Sequence, residues 1–238
     1  MTGGRFPGIA GILFDKDGTL IRYDESWGPV NREAARIASA GDPDLEPRLL
    51  LAAGMDPVSG ETRADSLLAA GNAAEIALGF AAAGSPIDAA ELTVLLDDLF
   101  VRAVEYAVPV TDLRVLFQRL KAQGLKIGIA SSDNESSIRR TAARFEIDGW
   151  VDFVAGYDSG FGTKPEAGML LGFCASTGLE PRQVAMVGDN AHDLRMGQAA
   201  GAGLKVGVLT GTGTRDTLAA LADICIDDIT VLQSLLQG

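Results

Sequence analysis

The stretch Ile9-Ala10-Gly11-Ile12-Leu13-Phe14-Asp15-Lys16-Asp17-Gly18-Thr19-Leu20-Ile21 decides how the rest of the chain is read. Its apolar run up to Phe14 lacks polar alternation, as expected of a strand buried on both faces of a sheet. The run ends in two aspartates two residues apart, followed by a glycine. Strand side chains alternate between faces, but where a strand gives way to a loop both carboxylates can converge on one point. Two poorly solvated anions repel each other unless a cation lies between them. The oxygens are hard ligands with no Cys or His beside them, so Mg2+ is the natural cation. A solvated Asp-Gly turn is the plainer reading of the same residues, and the remainder of the chain has to decide between the two.

At 238 residues the chain is long enough for one large domain, or for one domain plus a smaller one. Hydrophobic residues make up 47%, enough for a substantial core. A net charge of −12 without basic clusters argues against a nucleic-acid partner, because neutralising phosphates needs a concentrated positive face. Cys174 and Cys225 each stand alone in apolar surroundings, as small buried residues of a reduced, cytoplasmic protein do. No run is long enough to span a bilayer, and the N-terminus lacks a charged region followed by an apolar core, so no membrane partner is expected. The single histidine, His192, excludes a His-rich zinc site and argues against a Ser-His-Asp triad.

Between Asp24 and Val108 the sequence offers no convincing strand. Helices are expected near residues 29–40, 46–53, 63–82 and 88–107, with breaks at Gly41-Asp42-Pro43, around Gly54 to Gly60, and at Gly84-Ser85-Pro86. Asp88 and Glu91 make a capping-box start for the last of them. The segment is a helical insertion with the size of a small bundle of its own; belonging to a single large α/β domain is the plainer alternative. From Thr111 the pattern alternates. Helices are expected at 112–123, 135–145, 166–177, 190–200, 214–221 and 229–236, and strands at 126–130, 151–155, 183–187, 205–209 and 223–226. Strands separated by helices of this length imply right-handed crossovers and a parallel sheet, whose ligands bind beyond the carboxyl ends of the strands. At those ends stand Asp15 and Asp17, then Ser131 and Ser132, then Lys164 after a Gly-rich loop, then Asp189, with Asp193 one turn into the next helix. The set is chemically coherent: carboxylates, hydroxyls and one ammonium on a single edge.

Four short motifs carry a resemblance. Asp15-Lys16-Asp17-Gly18-Thr19-Leu20, Ile129-Ala130-Ser131, Lys164-Pro165 and Gly188-Asp189-Asn190-Ala191-His192-Asp193 appear in the order of the motifs of the haloacid dehalogenase-like hydrolases, and the sequence resembles the phosphoglycolate-phosphatase type within that family. The resemblance implies an α/β, Rossmann-like parallel sheet flanked by helices, formed by residues 1–22 and 109–238, with an inserted α-helical cap domain at 23–108. Two departures stand out. Lys16 occupies a usually apolar position, which matters little if only its backbone N–H touches phosphate, and Ala167 stands where many members carry a second proline.

The resemblance further implies a Mg2+-dependent phosphomonoester hydrolase of a small phosphorylated metabolite. Asp15 would be the nucleophile and Asp17 the general acid, then the base for water. The ion would contact Asp15, the backbone carbonyl of Asp17, and Asp189. Ser131, aided by the N–H groups of Ser132 and Lys16, would bind phosphate, and Lys164 would neutralise the transition state. Asp193 would orient a metal-bound water or hold Lys164; read alone, it is an acidic residue in the first turn of a helix. Ser132 or Asp133 fits the cap of the following helix, and His192 is expected to face solvent. Specificity is expected from the cap, where Trp27, Asn31, Arg32, Arg63 and Asn72 are the candidates and Arg63 would pair an anionic substrate such as 2-phosphoglycolate. A β-phosphoglucomutase-like phosphotransferase and a module phosphorylated on Asp15 for signalling are the alternatives. The protein is expected to act as a monomer or homodimer.

Overall fold

Six strands, β1 (Gly11–Phe14), β2 (Lys126–Ala130), β3 (Phe153–Ala155), β4 (Val184–Gly188), β5 (Leu204–Val208) and β6 (Ile224–Ile226), form one sheet in the order β3-β2-β1-β4-β5-β6. Every pairing is parallel. The computed structural model describes residues 6 and 8–236; residues 1–5, 7, 237 and 238, at the ends of the expected core, lie outside the described residues. β1 is central, and its side chains divide by the pleat. Ile12 and Phe14 join the core beneath α6 (Leu113–Ala122), α7 (Glu135–Arg144) and α11 (Leu232–Leu236), while Leu13 joins the opposite core with α8 (Gly168–Thr177) and α9 (Ala191–Ala200). All three are fully buried, which is why this strand reads as an unbroken apolar run. Arg215–Leu218 forms the short α10 between β5 and β6.

Five helices lie between β1 and α6: α1 (Tyr23–Ala38), α2 (Glu46–Ala53), α3 (Leu67–Ala70), α4 (Ala73–Ala82) and α5 (Ala89–Ala103). They share a hydrophobic cluster distinct from the two that flank the sheet. The chain enters and leaves this insertion side by side. Ile21 pairs antiparallel with Pro109, the Arg22 N–H donates to the Val108 carbonyl at 2.8 Å, and the Val110 N–H to the Leu20 carbonyl at 3.0 Å. Asp97 of α5 pins the insertion to the sheet loops, accepting from Asn134 Nδ2 at 3.0 Å and from the Tyr157 hydroxyl at 2.7 Å.

Three helical expectations need correction; the one at 214–221 forms only as the four residues Arg215–Leu218. The first helix begins at Tyr23 rather than near 29, and Pro29 sits inside it. Tyr23, Trp27, Val30, Asn31 and Ala34 fall on one buried face, and that spacing carries the helix past a proline that faces solvent. The expected 63–82 helix is two short helices separated by Gly71 and Asn72. Asn72 accepts from the Glu75 N–H at 3.0 Å and Glu75 accepts from the Asn72 N–H at 2.9 Å, so a reciprocal cap starts α4 afresh. Among the described residues no helix is long and apolar enough to cross a membrane. Cys174 and Cys225 are both unpaired.

Asn72→Ala removes one half of this cap. It should lower unfolding stability by about 1 kcal/mol in a urea titration, with the slope unchanged.

Candidate active site

Parallel strands bring their carboxyl ends to one edge, and the polar residues singled out in the sequence gather there. The Asp15 N–H donates to the Val187 carbonyl at 2.8 Å, carrying the β1–β4 pairing one residue beyond β1. Lys164, from the loop after β3, reaches into this edge and donates to Asp15 Oδ1 and to Asp193 Oδ1, each at 2.6 Å. Asp189 Oδ2 accepts from the Thr212 N–H at 2.8 Å. The turn after β1 packs directly on Asp189: a Cβ at Gly18, where φ is +82°, would lie 2.5 Å from Asp189 Oδ2, and one at Gly211 would lie closer still. Glycine at both positions lets two loops close around one carboxylate.

Asp15, Asp189 and Asp193 are all buried, and one carboxylate oxygen from each lies within 4.8 Å of the others. Asp15 Oδ2 has no hydrogen-bond partner. Burial pushes Asp15 up to about 7; Lys164 opposes the rise, and the charges of Asp193 and Asp17 add to it. Asp189 is raised well above the carboxylate range by burial and then by Asp15 and Asp193, against the Thr212 N–H and Lys164. Burial pulls Lys164 down, but Asp15 and Asp193 outweigh it and hold the ammonium above its usual value. An orphaned oxygen beside crowded, uncompensated carboxylates fits a hard divalent cation, for which this all-oxygen cluster is a suitable donor set.

Asp17 belongs to a different network. Its Oδ1 accepts from Trp27 Nε1 at 2.6 Å and from Lys16 Nζ at 2.8 Å, and its Oδ2 accepts from Ser131 Oγ at 3.3 Å. The Lys16 ammonium is also 3.0 Å from Asp133 Oδ2 and 5.3 Å from the Trp27 ring centroid. Asp133 in turn accepts from Ser137 Oγ at 2.5 Å. Burial raises Asp133 despite the neighbouring Lys16 charge. Between the two networks and the insertion lies a cleft of about 560 Å3, its open mouth included.

Residues 9–201 match the family model of the haloacid dehalogenase-like hydrolases. The chain belongs to this family. It is 25% identical over 228 residues to a phosphoglycolate phosphatase of Yersinia pestis, covering 93% of this chain and 90% of that protein. It is 28% identical over 222 residues to a phosphoglycolate phosphatase of Shigella boydii, covering 83% and 80%. The crystal structure of a predicted phosphoglycolate phosphatase from Haemophilus somnus superposes with a TM-score of 0.75 at 17% identity, over 97% of this chain and 99% of the other.

Set against this hydrolase's geometry, the expected site residues separate clearly. Asp15, Asp17, Ser131, Ser132, Lys164, Asp189 and Asp193 all line the cleft, as do Trp27 and Asn31. The Asp17 carboxylate lies outside the three-carboxylate cluster, whose third member is Asp193. Arg63 is exposed and does not line the cleft, and Arg32 donates instead to the Pro57 carbonyl at 3.0 Å. Asn72 serves as the α4 cap. Neither Ser132 nor Asp133 caps α7; Asn134 does, accepting from the Ser137 N–H at 2.8 Å. His192 is half-buried and lines the cleft rather than facing solvent. The Lys16 side chain, assigned no role by sequence, is 2% exposed and paired on two sides. A lysine at the end of a strand buried on both faces was the available signal, since a buried ammonium demands partners.

A carboxyl whose folded pKa is raised stabilises the fold below its unfolded value and loses that contribution as pH climbs through the folded value. Asp189→Asn keeps an acceptor for Thr212 and deletes the charge. In EDTA at pH 8 this variant should therefore melt above wild type, and the difference should vanish toward pH 4. Added Mg2+ should stabilise wild type, by about 2.7 kcal/mol at 100 times its dissociation constant, and leave the variant unmoved.

Proposed function

We propose that this protein is a Mg2+-dependent phosphomonoester hydrolase acting on a small phosphorylated metabolite through an aspartyl-phosphate intermediate. The observation that carries the reading is the division of labour between Asp15 and Asp17. Two aspartates two residues apart line one cleft, one within the cluster of carboxylates and Lys164, the other among neutral and cationic donors. Position separates the roles: Asp15 stands in the cluster that would hold the cation, where phosphorus is made electrophilic, and Asp17 stands outside it on the same cleft, where a leaving group can be reached.

Asp15 is the nucleophile. Lys164 fixes its carboxylate through Oδ1, in position to attack phosphorus. The bond from phosphorus to the leaving oxygen breaks, and Asp17 gives that oxygen a proton. Lys16 and Trp27 occupy Asp17 Oδ1, while Oδ2 meets only the Ser131 hydroxyl at 3.3 Å and is the oxygen left to face the leaving group. Asp17 then takes a proton from water, whose oxygen attacks phosphorus and releases Asp15. Ser131 and the Ser132 backbone bind the phosphate oxygens, and Lys164 meets the charge that spreads over them. Bound at Asp15, Asp189 and the main chain of Asp17, with Asp193 adjoining, Mg2+ would offset the repulsion between these carboxylates and a phosphate dianion.

In this reading residues 23–108 are a cap domain that closes over a core of residues 1–22 and 109–238 and keeps water from the leaving group. The names of the relatives make 2-phosphoglycolate the first compound to try. The unpaired Cys174 and Cys225 suit a reducing compartment such as the cytoplasm.

p-Nitrophenyl phosphate should be hydrolysed with Mg2+ and not in EDTA, and Asp15→Asn should fall below detection. Asp17→Asn should lose about 100- to 10,000-fold on an alkyl phosphate and much less on p-nitrophenyl phosphate, whose leaving group departs without a proton. Absence of phosphate release from any monoester would falsify the assignment.

A further inference from the structure

We infer that the leaving group accepted by this cleft carries no negative charge, which makes the substrates phosphomonoesters of neutral alcohols. The inference rests on the phosphatase reading and concerns what lies beyond the phosphate. On the insertion side, Trp27, Leu68, Ile76 and Phe100 present apolar surface, with Trp27 and Phe100 packed edge to face at 5.0 Å. The polar groups there are neutral and already engaged with one another. The Tyr23 hydroxyl donates to the Leu68 carbonyl at 2.6 Å and accepts from Asn31 Nδ2 at 3.3 Å.

Positive charge is scarce. Among the described residues lining the cleft, Lys164 is the only lysine or arginine, and Asp15 and Asp193 hold it. Lys16 stands behind the wall, taken by Asp17 and Asp133. Against these two ammonium groups stand the carboxylates of Asp15, Asp133, Asp189 and Asp193, with Asp17 carrying the proton that the leaving group receives. A divalent cation and a phosphate dianion cancel each other, so the deficit remains after both are bound. An anionic leaving group would then be buried without a partner in a field of its own sign.

The arginines singled out in the sequence lie elsewhere. Arg63 is exposed outside the cleft, and Arg32 is turned to the Pro57 carbonyl. The start of α4, which adjoins the cleft at Gly71, is already closed by its own Asn72 and Glu75. His192, of α9, also lines the cleft, and counting its imidazole as a cation still leaves the carboxylates in excess.

The test compares two substrates of equal chain length, 2-hydroxyethyl phosphate and 2-phosphoglycolate, with p-nitrophenyl phosphate as control, all with Mg2+. The expected kcat/KM for 2-hydroxyethyl phosphate exceeds that for 2-phosphoglycolate at least tenfold, equivalent to about 1.4 kcal/mol. Ala70→Arg adds a cation at a half-buried lining position and should shift the ratio toward 2-phosphoglycolate. Parity, or preference for 2-phosphoglycolate by the wild-type protein, overturns the inference and leaves the phosphatase reading standing. Failure of all three esters to release phosphate overturns both.

Discussion

Lys164, with its ammonium 2.6 Å from both Asp15 and Asp193, is the contact on which the acidic edge of the sheet depends. Its partners lie 149 and 29 residues away along the chain, so a single nitrogen joins the end of β1, the loop after β3 and the first turn of α9. Removing one partner of a buried pair leaves the other charge uncompensated, at a cost of about 3–5 kcal/mol. Even with this bridge in place the edge is under-neutralised: Asp15 is displaced to about 7 and one of its oxygens has no partner. A site that remains short of positive charge after folding is ready for a cation and, behind it, for a phosphate.

Lys16 has the corresponding role in the neighbouring network, between Asp17 and Asp133, with the face of Trp27 beside it. Two buried lysines thus apportion the carboxylates into two groups that share a cleft without sharing partners. This separation gives the two aspartates of one short motif different surroundings. Trp27 adds a consequence of its own: its indole nitrogen reaches Asp17 from the insertion, so the environment of a sheet residue is completed only when the insertion is docked.

Much of this was legible in the chain. A strand buried on both faces leaves a continuous apolar run, and in a parallel sheet the residue after each such run must fall on the same edge; those two rules locate Asp15, Ser131 and Asp189 without coordinates. Helices stopped by glycine, such as α9 at Gly201, were equally plain. What escaped was decided by partners far off in sequence. Nothing near Lys16 announces Asp133, and nothing near Asp189 announces the Thr212 N–H. The break at Asn72 was legible too, since Gly71 followed by Asn-x-x-Glu marks a helix stop and a fresh cap, but the alanine-rich run on both sides masked it. Arg63 was drawn toward the site by its charge alone, whereas its position depends on a loop that the sequence leaves undetermined.

The two chain segments that bound the insertion run antiparallel and hydrogen-bond to each other at Leu20, Arg22, Val108 and Val110. From the sheet's standpoint everything between them is a closed loop whose ends already touch, and the entropy of closing such a loop grows only slowly with its length. Evolution can therefore lengthen, shorten or replace the helices strung there while the strands beneath keep their register. In this architecture chemistry is inherited with the scaffold, and selectivity is free to diverge.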